Sequence, residues 1–197
     1  PKGGGGKARV ETKVAGNNAR QGKTVIRGET DGKQTARLWR GLRPPAARPI
    51  GEWDVSADEI TKQRKGSSHA VLDTPAGLHG RRLGDVLKLA DRIIVPLQPS
   101  VFDIFATRAF LDQLAEHRHA AGVQVGIVGM RVDARTKAAE QLHHFVDSLG
   151  FPVLGYLRDT QNYVHLAAHG LTLFDVAPAR VARDLEQWQG ICTWLDA

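Results

Sequence analysis

The chain has 197 residues and a formal net charge of +6 at pH 7, with 42% hydrophobic and 24% charged residues. This length and composition are typical of one medium-sized globular domain, and no apolar run approaches the roughly 20 residues of a membrane span. The single cysteine, Cys192, excludes an internal disulfide and a cysteine-rich zinc site. The composition therefore predicts a soluble, cytoplasmic protein that does not act at a membrane.

The positive charge is unevenly distributed along the chain. Residues 1–98 contain 19 Lys and Arg against 10 Asp and Glu, whereas residues 99–197 contain 8 against 11. A basic half predicts a polyanionic partner such as nucleic acid, although a phosphate-binding loop would account for part of the excess.

The chain opens with a glycine run between two lysines, Lys2 and Lys7. Consecutive glycines can turn their N–H groups around an anion, and a following helix points its positive dipole end at the same place. A lysine directly after the glycines can reach terminal phosphates. The alternative interpretation is a flexible tail or linker.

The first elements after the glycines alternate between helix and strand. Apolar residues at helical spacing predict a helix over about residues 7–21, with Val10, Val14 and Ala15 facing inward. A strand is predicted to begin at Thr24, although the arginine and glycine that follow are unusual in a strand buried on both faces.

Two aspartates follow strand-like segments. Asp31 comes after the first strand, where a carboxylate could position an attacking water, and an ordinary turn is the alternative. Residues 40–68 are expected to form an irregular, solvated connection. Apolar residues then lead into Asp73, which predicts a buried parallel strand that delivers one carboxylate to its C-terminal edge.

The second half continues the alternation. Predicted strands cover about residues 93–97, 123–132 and 152–157, and predicted helices cover about residues 79–90, 135–149, 160–170 and 179–195. A further helix is predicted to start near Ser100 and to reach at least Leu114. One helix carries an apolar stripe that is interpreted as core, made of Phe102, Phe105, Ala106, Ala109, Phe110 and Leu114. The last helix has no basic residue after Arg183, which favours packing on the domain over membrane binding.

This pattern predicts a single three-layer α/β domain over residues 1–197, with a mostly parallel sheet flanked by helices. The segments Lys2–Lys7 and Asp73–Gly77 resemble the ParA/MinD family of deviant Walker-A P-loop ATPases, and ParA-type partition proteins in particular. In that family a buried strand precedes the loop. The sequence given begins at Pro1, so that strand either lies outside it or is missing.

The resemblance implies a role for each matching residue. Lys2 would reach the partner's nucleotide across a dimer interface, Asp31 would act on the attacking water, and Asp73 would hold Mg²⁺. The nucleotide phosphates would be held by Gly3, Gly4, Gly5, Gly6, Lys7, Ala8 and Arg9. Ala8 stands where the family has a Mg²⁺-binding threonine, so hydrolysis is expected to be weak.

By the same resemblance, the chain would be a ParA-like ATPase that binds ATP with Mg²⁺, dimerises and binds DNA nonspecifically. It would help to segregate a plasmid, chromosome or other cargo on the nucleoid, with a ParB-like stimulating partner. Two alternatives stay open. One is a catalytically impaired nucleotide- or DNA-binding module of this fold, suggested by Ala8 and Glu29, and the other is a MinD-like positioning ATPase.

Overall fold

The computed structural model describes the backbone of residues 4–30, 35–53, 55, 66–75 and 77–197, and their side chains except those of residues 4–9, 35 and 36. The helices are α1 (Gly4–Arg20), α2 (Thr35–Gly41), α3 (Gly80–Leu87), α4 (Val101–Ala115), α5 (Lys137–Asp147), α6 (Gln161–Ala168) and α7 (Ala182–Asp196). The strands are β1 (Val25–Glu29), β2 (Gly51–Glu52), β3 (His69–Asp73), β4 (Arg92–Leu97), β5 (Gln124–Met130) and β6 (Val153–Leu157). Two 3₁₀ helices cover Leu173–Asp175 and Pro178–Arg180.

The chain divides into two compact units. The first unit comprises Pro1–Leu78 and Thr160–Leu185, and the second comprises His79–Asp159 and Glu186–Ala197. The organisation of residues 1–197 as a single domain stays a prediction.

The first unit contains a parallel sheet in the order β2-β1-β3. Val25 pairs with His69 and Glu29 with Asp73, so the C-terminal ends of β1 and β3 lie at the same edge. A cluster that includes Ala15, Trp39 and Ile50 forms its core, which joins α1 and α2 to this sheet. The predicted inward face of α1 is confirmed, since Val10, Val14 and Ala15 are all buried.

The second unit contains a parallel sheet in the order β4-β5-β6. Helix α7 lies against β6 at two glycines: a Cβ atom at Gly155 would come within 2.7 Å of the Gln187 carbonyl oxygen, and one at Gly190 within 2.3 Å of the Leu154 carbonyl oxygen. Only glycine fits such a close approach of two backbones. Trp188 and Ile191 of α7 are fully buried.

The predicted α/β fold with parallel strands flanked by helices is confirmed. One packing prediction is wrong, because Phe102 and Phe105 are 82% and 69% exposed, and Ala106 and Ala109 of the same stripe are exposed too. Leu114 of the predicted stripe is buried as expected, and the rest of the buried face of α4 is formed by Thr107 and Leu111. In the described residues, no helix has the length and apolarity needed to cross a membrane.

Candidate functional site

The glycine run leads directly into a helix. Helix α1 begins at Gly4, three residues earlier than predicted, so the glycines from Gly4 onward form its first turn and not a loop before it. Unpaired N–H groups at a helix start can bind an anion. Lys2, Gly3 and Asp31, and the side chains of residues 4–9, lie outside the described residues, and the roles assigned to them stay predictions.

The carboxyl ends of β1 and β3 bring two carboxylate residues together. Glu29 and Asp73 are opposite each other in the parallel register, and both are half-buried. The N–H and hydroxyl of Thr30 both donate to the Asp73 carbonyl oxygen, at 3.0 and 3.2 Å. These bonds hold the two strand ends together at the edge where ligands of open parallel sheets bind. Asp73 thus lies at the predicted strand end, and its role as a metal ligand stays a prediction.

A buried ion pair joins α1 to β1. Glu11 and Arg27 are 6% and 5% exposed. The Arg27 Nε atom donates to Glu11 Oε2 at 2.6 Å, and Nη2 donates to Glu11 Oε1. Two parallel bonds of this kind fix the guanidinium and the carboxylate in one orientation. The pair therefore ties the helix that follows the glycine run to the strand that ends beside Asp73.

Glu11 is also electrostatically linked to the strand ends. Burial raises the pKa of Glu11 from 4.5 to about 7, while the hydrogen bond and charge of Arg27 lower it and the charges of Asp73 and Glu29 raise it further. Burial disfavours a charged carboxylate more strongly than this one arginine stabilises it. Added positive charge near these three carboxylates would relieve their mutual repulsion.

Two guanidinium groups, one of them from this ion pair, lie near a single indole ring. The Arg27 guanidinium lies 5.6 Å from the Trp39 ring centroid, and the Arg43 guanidinium lies 5.4 Å from it. Arg43 in turn binds both oxygens of Asp175, at 2.7 and 3.0 Å, and the Gly170 carbonyl oxygen at 3.0 Å. Each of these buried arginines is bonded to a carboxyl group of its own, Glu11 for Arg27 and Asp175 for Arg43, while both guanidinium groups lie near the same ring.

The sequence interpretation did not find this network. Arg27 was recognised only as a poor choice for a buried strand, and that misfit was the available signal. A buried arginine generally has a charged or hydrogen-bonding partner, but α1 also contains Thr12, Lys13, Asn17 and Asn18, so its sequence does not single out Glu11 as that partner. Spacing alone could not pair residues 16 positions apart.

The described residues are compatible with a nucleotide and a magnesium ion. Within the described part of the chain, no group of three or more His, Cys, Asp or Glu side chains is arranged to hold a metal ion by itself. Mg²⁺ in nucleotide sites takes one or two carboxylates and otherwise phosphate oxygens and water. Asp73 at the strand end could supply such a carboxylate, and the backbone N–H groups at the start of α1 could donate to phosphates.

Comparison with known proteins gives a result at the level of structure only. No protein-family model matches the sequence, and no curated protein matches it either. The α/β fold, with two parallel three-stranded sheets flanked by helices, is like that of P-loop NTPases.

Solved structures of this class superpose over nearly the whole chain. MinD from Aquifex aeolicus matches with a TM-score of 0.71 and 15% identity, covering 98% of this chain and 92% of that one. MinD from Pyrococcus furiosus matches with a TM-score of 0.70 and 14% identity, covering 100% of this chain and 95% of that one. A ParA-family ATPase from Chlorobium tepidum matches with a TM-score of 0.60 and 13% identity, covering 94% of this chain and 91% of that one. The chain therefore has the fold of MinD and ParA-family ATPases, as its motifs indicated.

Proposed function

We propose that this chain is an ATPase of the ParA type, which uses ATP to position or partition a cargo. The proposal is supported by the start of α1 at Gly4, within the Lys2–Lys7 sequence motif, and by Asp73 at the end of β3. The fold is also like that of MinD and ParA-family ATPases. ATP and Mg²⁺ are the proposed ligands.

The chain's own residues would divide the work as follows. Backbone N–H groups at the start of α1 and the Lys7 ammonium bind the phosphates, Asp73 holds Mg²⁺, and Asp31 orients the attacking water. Mg²⁺ supplies charge neutralisation at the transferring phosphate. Lys2 reaches the nucleotide of a second copy, so that ATP drives dimerisation.

The proposed DNA partner rests on the basic half of the chain, and the proposed protein partner rests on the resemblance to ParA-type proteins. Closing the dimer would combine two basic surfaces, whose separate contacts to nucleic acid phosphates are weak. We propose that the dimer binds DNA nonspecifically and is therefore located on the nucleoid. A ParB-like protein is the proposed stimulating partner.

A second candidate is a module of the same fold that binds nucleotide or DNA but has lost catalysis. Ala8 favours it, since alanine has no oxygen to give to Mg²⁺, and Glu29 in place of the family's first aspartate does too. In this case ATP would bind and dimerise the protein without turnover.

Calorimetric titration with ATP and ADP, with a coupled ATPase assay, separates these candidates. We expect Lys7→Ala to lose most nucleotide affinity. Lys23→Ala serves as the matched control, because Lys23 lies just before the N-terminal end of β1, away from the C-terminal end where the nucleotide is proposed to bind. Turnover that DNA or a stimulating partner increases supports the ATPase. Equal affinity in Lys7→Ala and the unaltered chain contradicts the proposed site.

A further inference from the structure

One face of α4 is apolar and exposed over more than two helical turns. Phe102 is 82% exposed, Phe105 69% and Val101 56%. Ala106 and Ala109 continue the same face and are exposed as well. We call these five residues the α4 stripe. An exposed apolar surface of this kind, with two aromatic side chains, indicates an interaction site.

The rest of α4 is firmly placed in the second unit. Leu111 and Leu114 on the opposite face are each 2% exposed. At the side of the helix, the Arg108 guanidinium lies 5.3 Å from the Phe145 ring centroid and donates to Ser148 Oγ at 3.3 Å. The stripe is therefore the outer face of a packed helix.

The chemistry of the stripe favours a protein partner. It contains no charged or polar side chain, so it offers nothing to nucleic acid phosphates. The charged side chains of α4 beside the stripe are Asp103 in the first turn, Arg108 and the exposed Asp112, which give a net charge of −1, and the Arg108 guanidinium is turned toward Phe145 and Ser148. Carboxylates beside an apolar face disfavour an anionic lipid surface, which attracts basic residues instead.

We propose that the α4 stripe binds the same stripe of a second copy of this chain, with the two helices antiparallel about a two-fold axis. The large residues, Phe102 and Phe105, occupy the N-terminal half of the stripe, and the small ones, Ala106 and Ala109, occupy the C-terminal half. A two-fold axis between residues 105 and 106 places each phenylalanine against an alanine of the other copy. Such self-complementarity is what an isologous interface requires.

The charges at the ends of the stripe fit the same arrangement. In the antiparallel pair, Asp112 of one copy comes beside the start of α4 in the other copy. That start is the positive end of the helix dipole, and its N-cap residue, Ser100, makes no side-chain capping bond. A carboxylate there is stabilising, and the symmetry makes the contact twice.

The area of the stripe predicts a weak dimer. A phenylalanine side chain carries about 150–250 Å² of surface, so at the observed exposures the two phenylalanines offer about 250 Å² per copy. Two copies with their neighbouring residues stay below the about 1,200 Å² of a standard interface and fall in the weak, transient class. The contact needs no nucleotide, so it differs from the ATP-driven dimer proposed above.

Sedimentation velocity over a range of protein concentrations without nucleotide tests the association. We expect reversible dimers in the unaltered chain, and we expect both Phe102→Glu and Asp112→Arg to weaken them. Phe102→Glu should raise the Kd of the dimer by about a hundredfold, because the two-fold axis places the substitution in the interface twice. Leu89→Glu is the control, since Leu89 is also partly exposed in the second unit but lies outside α4. Monomers at all concentrations, or equal loss with Leu89→Glu, would overturn the proposal.

Cysteine cross-linking tests the antiparallel orientation separately. In a Cys192→Ser background, a mixture of Phe102→Cys and Ala109→Cys chains should form a disulfide between the two variants. Each variant alone should not, because its two copies of the same position are about 10 Å apart along the helices. Cross-linking of single variants as fast as the mixture, or none in the mixture, would overturn the arrangement. Circular dichroism confirms that each variant is folded.

Discussion

The buried pair of Glu11 and Arg27 allows a quantitative test of how the first unit is held together. Arg27→Leu removes the guanidinium but keeps an apolar side chain of similar bulk. It leaves the Glu11 carboxylate buried with no cation in hydrogen-bond contact, and it removes the stacking on Trp39. Breaking a buried pair in this way is expected to lower the free energy of unfolding by about 3–5 kcal/mol.

The loss of unfolding free energy should depend on pH, and the pKa of Glu11 determines in which direction. Its pKa is about 7 in the folded chain against an ordinary 4.5, so the folded state binds more protons than the unfolded state between these values. The contribution of Glu11 is therefore fully present below pH 4.5 and is lost as pH rises through 7, by up to about 3 kcal/mol.

Arg27→Leu should raise the pKa of Glu11 further, because both effects of Arg27 lower it. At pH 5.5 the carboxyl is then protonated, and the loss should shrink to about 1–3 kcal/mol for the missing hydrogen bonds. At pH 8 the folded variant must either keep a buried charge on Glu11 or bind a proton that the unfolded chain does not bind, and the full loss appears.

Urea unfolding at pH 5.5 and pH 8, followed by tryptophan fluorescence, measures both values. The double variant Glu11→Met with Arg27→Leu is the control, because replacing a buried pair with apolar residues is often neutral or stabilising. A loss at pH 8 no larger than at pH 5.5, or a double variant less stable than Arg27→Leu alone, would refute the reasoning.

Three further predictions concern other parts of the chain. Ala8→Thr should raise ATP turnover and lower the Mg²⁺ concentration needed, and no change in either would place the defect elsewhere. Lys2→Ala should abolish ATP-dependent dimers and DNA binding, measured by light scattering and anisotropy, and the DNA affinity of the unaltered chain should fall with salt by about 0.9 log units per log unit for each phosphate contact. Gly155→Ala should destabilise the fold by about 1–3 kcal/mol because its Cβ would meet a backbone oxygen of α7, whereas Gly41→Ala meets nothing within 4 Å, and thermal melts should separate the two.

The sequence by itself determined the order and type of most elements. Apolar spacing located α1 and three of its buried residues, Val10, Val14 and Ala15, but not the buried polar residues of that helix. The apolar run before Asp73 located β3 with its carboxylate at the C-terminal end. These features are local, because the period of apolar residues and the positions of glycines act within one helix or strand. The glycine and lysine motif indicated the fold for the same reason, since it occupies consecutive residues.

Only the tertiary structure decided which side chains meet. Glu11 and Arg27 belong to different elements, and the pairing of a helix residue with a strand residue depends on how the two elements pack. The sequence also assigned Phe102 and Phe105 to the core, because an apolar stripe at helical spacing looks the same whether it faces the core or solvent. Helix α4 has apolar residues on two faces, and its packing in the second unit buries the face with Leu111 and Leu114. Burial depends on what lies opposite a side chain, and periodicity within one helix does not contain that information.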